Sequence, residues 1–348
     1  MARTVYFTAP YEVAVRETSV SDPDPDELVV EASVSAISPG TELLLYRGEV
    51  SPETAADETL ESLGGSFSYP FPYGYATVGT VTGIGDDVDP EWRGETVLAF
   101  HPHASEFTVG VDAVCRVPDG ISPEQAVFLP NVETAVTLVH DGEPALGERA
   151  VVVGQGVIGL LTTAILSTFP LEELVTVEIH DSRRELSTAL GADRSVSPST
   201  TDLADLFDPS TDSFTGAARD TAAEPGRADL TYELSGNPAA LDDAIAATGY
   251  DGRVVVGSWY GTKPVTLSLD DRFHRSRIDL RASQVSTLAP ERRGRWSVSR
   301  RLQTAWRRLR DIETERLVTH RLPVSEAPEA YDILDDDPAS AVQVLLTY

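Results

Sequence analysis

The sequence is poor in cysteine, methionine and lysine, with one of each in 348 residues. A lone cysteine, Cys115, excludes any disulfide within the chain and any cysteine-rich zinc lobe. Its neighbours Val114 and Val117 mark it as a small buried residue rather than a reactive thiol. No apolar run approaches the roughly 18 residues of a membrane span. The opening M-A-R-T-V-Y-F has no apolar signal-peptide core, so a soluble, cytoplasmic protein is expected. Basic residues are also scarce: 27 against 56 acidic ones, a net charge of −29, and Lys263 is the only lysine. Such a surface suits a halophile, whose salty cytoplasm screens the self-repulsion, and it argues against nucleic acid or an anionic membrane as partner. At this length two domains are expected.

What is present centres on Arg149–Gly159, R-A-V-V-V-G-Q-G-V-I-G. The apolar run Ala150–Val153 suits a buried parallel strand. Gly154, Gln155, Gly156, Val157, Ile158 and Gly159 then spell G-x-G-x-x-G, and Leu160–Leu166 continues as a helix. The first glycine allows the tight turn and the second admits a pyrophosphate to the backbone. The third lets helix and strand pack closely, with the helix N-terminus facing the phosphates. A following strand at Leu174–Ile179 completes a dinucleotide-binding unit.

Around this unit the chain divides. Short strands are expected at Val5–Thr8, Glu12–Glu17, Leu28–Ala36, Ala76–Ile84, Thr96–Phe100 and Glu106–Val109. Residues 49–70, acidic and weakly patterned, read as a surface loop or flap. Helical pattern begins at Pro123–Phe128 and Thr134–His140. Beyond the glycine motif come strands at Ala228–Leu234 and Arg253–Gly257, a helix at Leu241–Ala247 and a loose acidic connection over 198–226. The C-terminal stretch reads as helix Trp296–Arg310, strand Val318–Leu322, helix Ala327–Leu334 and strand Val342–Leu346. The fold class expected is α/β, a Rossmann doubly wound parallel sheet plus a β-rich domain. Residues 131–284 should form the Rossmann domain, and residues 1–130 with 285–348 the β-rich catalytic domain.

Several motifs make the chain resemble the medium-chain dehydrogenase/reductase superfamily, the alcohol dehydrogenase-like fold with a GroES-like catalytic domain. Besides the glycine motif these are L-G-A-D at Leu190–Asp193, E-L-S-G-N-P at Glu233–Pro238, G-R-V-V-V-G at Gly252–Gly257 and F-H-R at Phe273–Arg275. S-P-G-T-E at Ser38–Glu42 is similar to the I-S-x-G-T-E of the subgroup that includes bacteriochlorophyllide a dehydrogenase. The departures concern zinc. Where zinc-dependent members carry C-G-T-D, this chain keeps Thr41 and Glu42 but has no cysteine. Their G-H-E-x-x-G is here Gly74-Tyr75-Ala76-Thr77-Val78-Gly79, and their third ligand position holds Pro130. Proline and alanine cannot complete a tetrahedral N, S or O site, so no catalytic zinc is expected.

The resemblance implies an oxidoreductase that moves hydride between NAD or NADP and a carbonyl/secondary alcohol pair. Thr41 then matches the family's proton-relay hydroxyl, and Tyr75, in a ligand's place, can donate to a carbonyl. His101 or His103 is a candidate terminal acid/base, with Glu42 and Glu133 orienting them. If residues 101–103 are strand, both imidazoles share a face and a non-standard metal site on them is the alternative. Two further alternatives are an enoyl or quinone reductase and a non-enzymatic NAD(P)H-binding protein. Glu178, 24 residues after Gly154, suits a carboxylate on the adenosine ribose and favours NAD. Arg183, with His180 and Arg184 near it, could instead hold a phosphate. By resemblance Thr134, Ser235, Gly236, Asn237, Gly257, Ser258 and Trp259 line the nicotinamide end. A basic island over Arg292–Arg310 is expected to pair with acids of the same or a neighbouring subunit, and its helix to bury Val298, Leu302, Trp306 and Leu309. A small-molecule substrate and a homodimer or homotetramer go with the resemblance.

Overall fold

A computed structural model describes residues 1–54, 66–207 and 226–348. Half of the expected flap (55–65) and most of the acidic connection (208–225) lie outside the described residues. The chain forms two units: residues 1–130 with 309–348, and residues 131–308. Residues 285–308, expected with the β-rich domain, belong instead to the second unit. Two ion pairs tie them there, Arg301 to Glu133 and Arg292 to Glu143.

The first unit begins with β1 (Ala2–Ala9), β2 (Glu12–Thr18) and β3 (Glu27–Ala36), then α1 (Pro39–Tyr46). It continues through β4 (Phe71–Pro72), β5 (Thr77–Ile84), β6 (Thr96–Ala99), β7 (Glu106–Gly110), β8 (Val114–Arg116) and the short α2 (Pro123–Ala126). Helix α1 is a departure from the strands expected before residue 48. Proline opens it, as a first helical turn tolerates, and Glu42–Tyr46 are all buried. A run buried on every side carries no period, so it could not be told from a strand. Cys115, in β8, is half-buried rather than buried.

The second unit carries most of α3 (Leu129–Gly142), then β9 (Arg149–Val153), α4 (Val157–Leu166), β10 (Glu173–Val177), α5 (Asp181–Ala189) and β11 (Arg194–Val196). After these come β12 (Ala228–Glu233), α6 (Pro238–Ala247), β13 (Thr248–Val256), β14 (Asp279–Ala282) and α7 (Val298–Asp311). All six strands run parallel in the order β11-β10-β9-β12-β13-β14. That is the 3-2-1-4-5-6 arrangement of a dinucleotide-binding sheet, and β9 is fully buried at its centre. In α7 the inward face is not the expected one. Val298 is 47% exposed, and Arg301, Ala305 and Leu309 are buried, because Arg301 turns in to meet Glu133.

The chain returns to the first unit with β15 (Val318–Pro323), α8 (Ala327–Asp336) and β16 (Gln343–Thr347). Strand β16 inserts between β15 and β3, giving the order β15-β16-β3-β5-β6-β8, with β7 also paired to β3. Tyr331 of α8 packs on Phe7 and Tyr46, ring centroids 5.2 and 5.7 Å apart, so α8 and α1 share one aromatic core. Among the described residues no helix is long and apolar enough to cross a membrane.

Candidate active site

In the first unit the polar chemistry gathers at the start of α1. Ser38 caps the helix, and Thr41 and Glu42 follow in its first turn. The Tyr75 hydroxyl donates to Ser38 Oγ and lies in hydrogen-bonding reach of the Thr41 hydroxyl. Burial pushes the Tyr75 phenol up to about 12; the Ser38 and Thr41 hydroxyls pull it down and the Glu42 charge adds to the rise. Tyr75 is therefore a protonated donor at neutral pH.

Behind these hydroxyls lies a fully buried carboxylate. Glu42 Oε1 accepts the Ser38 amide at 2.7 Å, and Oε2 accepts the Tyr331 hydroxyl at 2.5 Å. Oε2 also lies 3.1 Å from His103 Nε2, and neither side chain of that pair meets solvent. His103 Nδ1 is 2.7 Å from Ser35 Oγ, which in turn is 2.8 Å from the Tyr348 hydroxyl. Burial, with Glu42 beside it, drives the Tyr331 phenol far up, so it acts only as a donor. Gly74 makes room for this assembly. At φ +131 a side chain is strained, and a Cβ would sit 2.7 Å from the His103 ring.

The two histidines are held by different partners. Strand β6 ends at Ala99, so residues 101–103 lack the alternation that would put both rings on one face. His101 lies flat on Phe107, centroids 3.9 Å apart, and its Nδ1 donates to the Pro102 carbonyl at 2.8 Å. Burial takes its imidazole down to about 4, against that bond, and His103 nearby adds to the fall. His101 is thus neutral at pH 7, and both nitrogens of His103 are already engaged.

In the second unit the glycine motif closes β9 as expected. Gly154 takes φ +90, where a Cβ would sit 2.6 Å from the Ser235 backbone. A Cβ on Gly159 would collide with the Gly154 carbonyl, whereas one on Gly156 would meet nothing within 4 Å. Gly156 is the N-cap of α4 with no side-chain cap, so the first amides of that helix have no partner within it, which suits a phosphate. The Gln155 side chain points the other way. It is buried, donating to the Val152 and Gly154 carbonyls and accepting from Thr163, so only its backbone serves the loop. Glu178, just past β10, accepts the Gln155 amide at 2.7 Å and the His180 amide at 2.9 Å. Burial lowers the Arg183 pKa while the neighbouring Glu178 charge raises it. Arg184 is occupied with the Glu178 and Ile179 carbonyls and Asp181.

Across the sheet, the turns after β12 and β13 are joined. Gly236 N donates to Ser258 Oγ at 2.9 Å, and Asn237 caps α6 through Ala239 N. Buried Glu233 accepts the Ser235 amide at 2.8 Å, the Ser235 hydroxyl and the Tyr260 hydroxyl. Gly257 closes β13 against Leu234 and Leu138, Thr134 is half-buried on α3, and Trp259 is 42% exposed. The Glu133 carboxylate meets Arg301 at 2.9 Å, and that charge partly offsets the rise that burial imposes. The residues missed from sequence are Ser38, Ser35, Tyr331 and Tyr348 in the first unit and Glu233 and Tyr260 in the second. Only Ser38 and Glu233 stood in recognisable motifs; the others carry no local signal.

The donors do not suit a zinc ion. Among the described residues no three His, Cys, Asp or Glu side chains converge as a metal site requires. Both carboxylate oxygens of Glu42 and both ring nitrogens of His103 already have partners. The nucleotide cradle, by contrast, fits a dinucleotide.

Residues 157–301 match the family described as zinc-binding dehydrogenase. A 2-desacetyl-2-hydroxyethyl bacteriochlorophyllide A dehydrogenase of Rhodobacter capsulatus is 25% identical, over 99% of this chain and 97% of its own. The 2R,3R-butanediol dehydrogenase of Bacillus subtilis superposes with a TM-score of 0.78 at 18% identity, covering 100% of both chains. A short chain alcohol dehydrogenase from Escherichia coli CFT073, solved with NADH, gives 0.75 at 18% identity over 100% of this chain and 99% of its own. Residues 157–301 thus carry a zinc-binding dehydrogenase domain, and along its whole length the chain is similar to alcohol dehydrogenase-like enzymes, as its motifs led us to expect.

Proposed function

We propose that this oxidoreductase interconverts a small-molecule secondary alcohol and ketone with a nicotinamide cofactor and without zinc, using Tyr75 to hold the substrate oxygen. The observation that carries the reading is the Tyr75–Ser38–Thr41 hydroxyl cluster standing where resemblance would put a metal ligand. The bound nicotinamide supplies or accepts the hydride. The protein's task is then to bind the oxygen that gains negative charge and to deliver one proton to it. The Tyr75 phenol, at about 12, is a stronger acid than the alcohol formed and gives up its proton downhill. Ser38 and Thr41 then hold the phenolate oxygen, and exchange with solvent restores the proton. Glu42 and His103 serve as a fixed base plate rather than as acid and base, and His101 stays neutral.

The cradle of Gly154–Gly159 would take the pyrophosphate, with the Val157 and Ile158 amides facing it. Glu178 supports NAD over NADP: two of its lone-pair sites hold backbone amides, others are left for ribose hydroxyls, and its charge repels a 2′-phosphate. The Ser235–Asn237 and Gly257–Trp259 turns would face the nicotinamide. A cytoplasmic homodimer or homotetramer goes with this reading.

The test is elemental mass spectrometry on protein purified in high salt without added metal. It is paired with NAD- and NADP-linked turnover on a panel of secondary alcohols and hydroxyketones, with and without chelator. Substoichiometric zinc with chelator-resistant turnover is expected, and Tyr75→Phe should cut kcat about 100-fold, the usual scale of a lost general acid. One zinc per chain, or full turnover by Tyr75→Phe, overturns the reading.

A further inference from the structure

Ser38 sits at a helix N-cap with extended backbone, φ −93 and ψ 97, where a serine hydroxyl ordinarily accepts an amide of the first turn. Here it makes no capping bond. The first-turn amides of Thr41 and Glu42 go instead to the Ser38 carbonyl, at 3.2 and 2.8 Å, and the Ser38 amide is fixed at 2.7 Å by Glu42, itself anchored to Tyr331 and His103. With its backbone held on both sides, Ser38 Oγ points its hydrogen bonding to the Tyr75 hydroxyl.

We propose that Ser38 is a positioning residue for Tyr75, and that the buried Glu42 assembly holds it in that role through the Ser38 amide. A hydroxyl both accepts and donates. Ser38 accepts from Tyr75 while the phenol waits. It donates to the phenol oxygen once the phenol turns its own proton to the substrate. Thr41, the other hydroxyl on Tyr75, cannot replace it alone, because a developing phenolate needs more than one donor in so buried a place. Tyr331, 289 positions from Glu42, and Tyr348 belong to the same device. They complete the buried end of the network that keeps Glu42 aimed at the Ser38 amide. The inference rests on the reading of Tyr75 as the proton donor.

The test uses the full chain with tyrosine labelled with 13C at Cζ, the Tyr75 resonance being assigned by its loss in Tyr75→Phe. In Ser38→Ala that resonance should move, and in Ser38→Thr it should return. With the best substrate of the panel, Ser38→Ala should lower kcat at least tenfold while KM changes less than threefold. Introduced into Tyr75→Phe it should lower kcat no further. If Ser38→Ala folds poorly, Ser38→Gly, an acceptable N-cap, takes its place. An unmoved Tyr75 resonance overturns the inference, as does an equal loss of kcat with or without the Tyr75 hydroxyl. Full turnover by Tyr75→Phe instead removes the reading beneath it, whatever the resonance shows.

Discussion

At Gly74 a single methyl decides whether the buried network closes. Gly74→Ala would press a Cβ to 2.7 Å from the His103 ring at a backbone angle that alanine resists. A loss of about 2–4 kcal/mol is expected, overpacking and strain together, read as a lowered denaturant midpoint. Two imidazoles make a second prediction. Burial holds His140 down to about 4, with Arg292, Arg301 and Arg300 adding to it, and His101 also lies at about 4. Unfolded histidine titrates near 6.5, so on acidification the unfolded state gains protons first. Stability from these groups is full above about 6.5 and is lost as pH falls towards 4. Urea midpoints at pH 7.5 and 5.0 should differ, and His140→Gln should narrow the difference. Of the site residues, Thr41, Glu42 and Tyr75 were legible because they stand in motifs. Tyr331 and Tyr348 were not, since only folding brings them to residues 35–42.

Elements were legible where a period or a glycine pattern marked them, as in the βαβ run from Arg149. Helix α1, buried on all sides, had neither. Helix α7 shows a subtler failure: its apolar spacing was plain, but a buried carboxylate on α3 turned Arg301 inward and displaced Val298 to solvent. This pairing is open to a double-mutant cycle. Arg301→Met alone should cost about 3–5 kcal/mol by stranding Glu133, whereas Arg301→Met with Glu133→Leu should recover much of the loss. Thermal and urea unfolding of the four proteins check it. The condition for a shared histidine face, strand through residues 101–103, is not met for an equally local reason, the end of β6 at Ala99.

For the molecule as a whole, the net charge of −29 repels itself wherever salt does not screen it. Stability should rise steadily as potassium chloride is raised from about 0.1 M, where the screening length is about 10 Å, to about 1 M, where it is about 3 Å. Melting curves along that series check it; a flat response would remove the case for adaptation to salt. The two-unit, doubly wound plan was legible because the glycine motif and the alternation of strand and helix are local patterns. The boundary at residue 308 was not, since it depends on ion pairs that no local pattern announces.

The insertion of β16 between β15 and β3 has a consequence for biosynthesis. While the ribosome is still making the second unit, β3 waits with an open edge, and Glu42 lacks the Tyr331 hydroxyl that will hold it. Domains generally fold as they emerge, but this first unit must stay unfinished until residues 318–348 arrive. The nascent chain is thus kept from assembling its Tyr75 centre early, and it is most exposed to chaperones and proteases in that interval.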